Sequence, residues 1–122
     1  MFLNPNLPIM QNDTIWRNCS NEEMLAALDT CPEVVEELKK TGYKDLINSY
    51  DSILPLYKMD RGTSPVYKGN TDDIDFFEYW FMVDGKQYNM PEGESYKTKA
   101  EAQLASVQAT MLELQKRIKT KA

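Results

Sequence analysis

Asp72, Asp73, Asp75 and Glu78 form the densest cluster of ligand-type and acid–base side chains in this 122-residue chain. Oxygen donors set this close together suit Ca²⁺ or Mg²⁺. The spacing of an EF-hand loop is absent, so the cluster reads first as solvated turn acids. Other routes to chemistry are closed. The chain has no histidine, which removes Ser-His-Asp and Cys-His catalysis and every histidine metal site. Cys19 and Cys31 do not make a Cys-x-x-Cys pair, and the five glycines are scattered singly rather than gathered in a phosphate-binding loop. No two carboxylates are singled out for hydrolysis. The expectation is a protein that is not an enzyme and holds neither metal nor cofactor.

Trp80 and Met82 are the remaining residues of interest. They lie in an aromatic run, residues 74–83, that alternates into two faces and meets Asp84-Gly85, a two-residue type I′ hairpin signal. Folding on that turn pairs Val83 with Lys86, Phe81 with Tyr88 and Tyr79 with Met90. This face, extended by Phe77, is assigned to the core. The opposite face carries Glu78, Trp80, Met82, Gln87 and Asn89. Left open, it is a binding surface for another protein, with Glu78, Trp80, Met82 and the acids Asp72, Asp73 and Asp75 as its residues. The N-terminal helices, which need something apolar to pack on, are expected to cover it.

Those helices are marked by local signals. Ser20-Asn21-Glu22-Glu23 is a capping box, followed by the short apolar face of Met24, Leu25 and Leu28. Pro32 fits the first turn of a second helix that stops at Gly42. Leu46, Ile47, Tyr50, Ile53 and Leu54 share one face of a third, which Pro55 ends. Residues 58–63 read as a loop, 65–68 as a short edge strand and 69–73 as a turn. Thr98-Lys99-Ala100-Glu101 is a second capping box. It opens a long helix whose stripe of Ala100, Leu104, Val107, Met111, Leu114 and Ile118 is expected to lie on the hairpin, with Ala102, Ala105, Ala109 and Leu112 beside it. The predicted fold class is α+β: N-terminal helices, then a three-stranded antiparallel sheet covered by a long C-terminal helix. Residues 1–19 are expected to be an extended arm packed on one domain spanning 20–122.

Net charge is −5, and it is segregated. Residues 1–95 hold 17 acids and 8 bases, whereas 96–122 hold 2 acids and 6 bases. An acidic body repels phosphate backbones, and the cations of the last turns suit a helix C-terminus. Two cysteines flanking a helix are expected to be free thiols. No signal peptide or membrane span is visible, which places the expected protein in the cytoplasm.

From residue 43 onward the order helix, strand, strand, strand, helix resembles the double-stranded-RNA-binding domain. The local match is Phe81-Met82-Val83-Asp84-Gly85-Lys86-Gln87-Tyr88, then Thr98-Lys99-Ala100-Glu101-Ala102. In that family the last helix opens with Ser-Lys-Lys-x-Ala-Lys, whose lysines reach phosphates across a groove. Here Thr98, Lys99 and Ala102 follow the pattern, while Ala100 and Gln103 replace the other two lysines. The loop after the first strand, which supplies a histidine in that family, is acidic here. The resemblance implies a core over 43–119 and, as an alternative function, binding of double-stranded nucleic acid through Lys97, Lys99, Lys116, Arg117 and Lys119. The pattern Tyr96-x-Thr98-x-x-Glu101-Ala102 also looks like that of small bacteriophage and prophage proteins. This implies a mobile-element origin and a host or virion protein as partner. One form would be an acidic nucleic-acid mimic; another is a virion component, or a homo-oligomer, that uses residues 1–19 as an assembly arm.

Overall fold

The computed structural model describes residues 18–42 and 44–121. The expected arm therefore lies outside the described residues, save Asn18 and Cys19. Helix α1 spans Asn21–Ala27, α2 Pro32–Lys39 and α3 Leu46–Ile53, and a 3-10 turn covers Leu54–Tyr57. Strands β1 (Met59–Tyr67), β2 (Ile74–Val83) and β3 (Lys86–Asn89) form an antiparallel sheet in that order, and α4 runs over Lys99–Lys121. The fold is α+β, with the long C-terminal helix packed on the sheet.

The local signals act as their chemistry requires. Ser20 Oγ accepts from Glu23 N–H (3.1 Å) and Glu23 Oε1 accepts from Ser20 N–H (2.9 Å). Thr98 and Glu101 repeat this reciprocal pair, at 3.1 Å each way. Asp84 and Gly85 take φ of 54° and 83°, the left-handed geometry of a type I′ turn. They set the register Val83–Lys86 and Phe81–Tyr88. Met90 N–H then donates to Tyr79 O at 3.2 Å.

Strand β1 is nine residues long and begins inside the stretch expected to be a loop. Lys58, at φ 60°, turns the chain out of the 3-10 segment, and Met59 pairs with Val83 at once. The expected edge strand at 65–68 is only the far end of this element. Two residues hid it. Arg61 points to the helix side yet is buried, its Nε and Nη2 donating to the two Asp51 oxygens at 2.6 and 3.0 Å. Its Nη1 donates to Ser106 Oγ and reaches Gln103 O at 3.5 Å. Gly62 lies on the other face under Trp80.

Helix α4 is the middle layer. On one side it meets β1 and β2, and on the other α1 and α2. The stripe of Ala100, Val107, Leu114 and Ile118 joins a cluster formed chiefly by Met24, Leu28, Val34, Leu38, Ile47 and Ile53 of the N-terminal helices. Met59 and, at the margin, Val83 are the members from the sheet. This corrects the expectation that the stripe would lie on the hairpin. It also answers the question of what the N-terminal helices pack on. Their apolar faces find α4, and where they reach the sheet they do so from the α4 side, through Met59 in the same cluster and the Asp51–Arg61 pair.

A helix enclosed on two sides buries polar groups, and each needs a partner. Tyr50 Oη bonds with Thr110 Oγ1, and burial pushes the Tyr50 phenol above its ordinary range. Gln115 Oε1 accepts from Val34 N–H at 3.2 Å and its Nε2 donates to Glu33. That supplies the first turn of α2 with a partner that its own N-cap, Cys31, does not give. Cys19 and Cys31 are both buried, and Cys31 is a free thiol, as expected. Their Sγ atoms face Ala100 O (3.3 Å) and Met111 O (3.8 Å), eleven residues apart on α4. That separation is about 16 Å of helix.

Candidate binding surface on the open face of the sheet

Because the helices gather on α4, the sheet keeps one face uncovered by any described helix. The pairings Asp60–Met82, Gly62–Trp80, Ser64–Glu78 and Val66–Phe76 lay out this face, and β3 adds Gln87 and Asn89. Trp80, Met82 and Phe76 are half-buried and Glu78 is exposed. Trp80 is held down by the backbone of Gly62. A Cβ built there would come within 2.5 Å of Trp80 Cζ2 and 2.9 Å of Nε1, so only glycine lets the indole lie this low.

Beside Trp80 the chain leaves the sheet. Met90 is the last residue bonded to β2 before 91–95 loop outward, and Tyr96 returns to exchange two backbone bonds with Phe77, at 2.7 and 3.2 Å. The excursion leaves a half-open groove of about 750 Å³, lined by Phe76, Glu78, Trp80, Asn89, Glu92 and Glu94 among others. Every charged residue of its described lining is a carboxylate. Tyr96 Oη donates to Glu94 Oε1 at 2.9 Å, and burial, reinforced by that acid, pushes the Tyr96 phenol up to about 12. The free edge of β1 is less open. Pro65 has no N–H to offer, and Arg61 N–H is taken by Asp60 Oδ1 at 2.8 Å.

Glu78, Trp80 and Met82 thus share the face on which alternation puts them. Asp72 and Asp73 are exposed in the turn before β2, and Asp75, second in the strand, has the opposite parity from Glu78. The acids that line the groove with Glu78 are instead Glu92 and Glu94. Sequence reasoning missed them because nothing local marks a loop that returns to pair. Among the described residues no group of three or more acids and thiols could hold a metal ion, and no helix is long and apolar enough to cross a membrane.

The five cations of the nucleic-acid alternative divide between the two ends of α4. Lys97 and Lys99 sit at its start; Lys116, Arg117 and Lys119 sit seventeen or more residues on, a separation of about 26 Å. Lys116 is 3.8 Å from Glu113 and Lys119 is 3.9 Å from Glu33. Arg117 is occupied more fully. It grips both Asp84 oxygens at 2.9 and 2.7 Å, Glu113 Oε2 at 2.8 Å and Tyr57 O at 2.8 Å. This clamp fastens the hairpin turn to the end of α4.

Hydrogen bonds from Arg117 hold the Asp84 and Glu113 carboxyls below their ordinary values of 3.8 and 4.5. A carboxylate whose folded pKa is depressed adds stability above its unfolded pKa and loses it as pH falls through the folded one. The stability gap between wild type and Arg117→Met is therefore expected to be constant above about pH 4.5 and to narrow as pH falls below about 3.8, leaving the part due to the Tyr57 carbonyl. Urea unfolding across that range checks it. Both acids are solvent-facing, so the gap is also expected to shrink with salt.

Comparison with known proteins adds no further constraint: no family model, no characterised protein and no solved structure matches the chain.

Proposed function

We propose that this is a non-catalytic binding protein, acting in the cytoplasm, that holds another protein against the open face of its sheet. The observation that carries the reading is the row of Phe76, Trp80 and Met82 on a face that no described helix covers. Half-buried aromatic and methionine side chains in a concave setting are what protein interfaces use as anchors. An origin in a mobile element, if the phage resemblance reflects descent, would make that partner a host protein.

Affinity capture from a lysate with wild type, Trp80→Ala and Glu36→Ala tests the reading. Glu36 lies on α2, away from the sheet. One defined protein should be retained by wild type and by Glu36→Ala and should be lost with Trp80→Ala, while circular dichroism shows all three folded. Retention by Trp80→Ala and by Met82→Ala would remove the face from the argument.

The double-stranded-RNA reading draws support from the α3-β1-β2-β3-α4 order alone. Duplex binding requires phosphate-reaching cations on one surface. Here they stand at opposite ends of a helix, with Arg117 held in ion pairs.

A further inference from the structure

Resting on that reading of the face, we propose that its occupant is a basic segment of a partner protein, and that an arginine or lysine side chain of that segment lies in the groove beside Trp80. The groove combines three aromatic residues, Phe76, Tyr79 and Trp80, with three carboxylates, Glu78, Glu92 and Glu94, and among the described residues no cation lines it. Aromatic faces attract cations through their quadrupole, and a guanidinium both stacks on rings and pairs with carboxylates. Among the described residues, Glu94 is the one of the three acids with a hydrogen bond from a neighbouring side chain, at Oε1 from Tyr96.

The same features argue against other occupants. A nucleic-acid backbone would bring phosphates against three carboxylates. A second copy of this chain, docked groove to groove, would bring one acidic lining against another, in a chain of net charge −5. The groove also explains the excursion at 91–95. A direct continuation of β3 would fill this space with strand, and the loop instead carries Glu92 and Glu94 to the groove wall.

Isothermal titration with a synthetic heptapeptide of alternating valine and arginine tests the proposal, with its valine–glutamate counterpart as control. Fluorescence of Trp80 in a Trp16→Phe background gives a second readout. The arginine peptide is expected to bind saturably and to change Trp80 emission, and the glutamate peptide to do neither. The triple variant Glu78→Gln/Glu92→Gln/Glu94→Gln should weaken the arginine peptide about tenfold or more. Glu22→Gln/Glu36→Gln, on the helices, should leave it unchanged. Equal weakening by the two sets would mean diffuse charge attraction and would overturn the proposal, as would absence of binding. If the arginine peptide fails while Trp80→Ala still abolishes capture of the partner, this inference falls and the binding face stands. If Trp80→Ala also retains the partner, both fall.

Discussion

Asp51→Ala is expected to destabilise the protein by about 3 kcal/mol, the low end of the range for breaking a buried ion pair from one side. Arg61 is the reason. Its side chain is only 4% exposed, against 38% for Asp51, so removing Asp51 leaves a guanidinium enclosed between β1 and α4. Ser106 Oγ and Gln103 O remain as acceptors, and neither carries charge. Asp51 itself is half in water, which is why the cost should not reach the top of the range. Arg61→Met keeps most of the stem volume and removes the charge, so it should cost less than Asp51→Ala. The double variant should cost less than Asp51→Ala alone, because no uncompensated charge is left. Urea unfolding of the three variants measures all of this. If Asp51→Ala fell within about 0.5 kcal/mol of wild type, the range of ordinary surface changes, the ion pair would have no structural role.

Gly62→Ala should lower stability by about 1–3 kcal/mol, the cost of forcing a packed group aside. In an ordinary strand the same change is mildly favourable, by roughly 0.5–1 kcal/mol, so the sign itself is diagnostic. Three consecutive atoms of the Trp80 ring lie 2.5, 2.7 and 2.9 Å from where the new methyl would sit. An indole has two side-chain torsions and no flexible tip to yield, so the ring must swing away from the sheet. Red-shifted Trp80 emission in a Trp16→Phe background, together with an earlier urea midpoint, is the expected result. Under the proposed function the same variant should lose the partner without touching any acid. An unshifted spectrum with unchanged stability would show that the ring does not rest on Gly62.

These two positions also mark where reading from sequence stops. Both capping boxes, the Asp84-Gly85 turn and the register beyond it were legible because each depends on residues close together in the sequence. The same holds for the alternation that puts Glu78, Trp80 and Met82 together. Residues 58–63 looked like a loop because Arg61 and Gly62 break the apolar alternation of a strand. Their identities are set by Asp51 ten residues away and by Trp80 eighteen away. Helix α4 misled for a related reason. Ser106, Thr110 and Gln115 lie outside both apolar stripes, yet all three are buried against distant partners. A helix with two buried sides therefore looked like a helix with one. The N-terminal helices were accordingly sent to the wrong surface, and the open face was expected to be covered.

The central place of α4 bears on how the chain is made. Synthesis proceeds from the N-terminus, yet the helices at 21–53 and the sheet at 59–89 both lean on an element that begins at residue 99. Translation of 99–121 takes roughly 1–5 s at typical rates. During that interval the apolar faces of Met24, Leu28, Leu38 and Ile53 on the nascent chain have no partner from α4. Assembly must then follow emergence of this segment from the ribosome, and until then those apolar faces are open to non-native contacts.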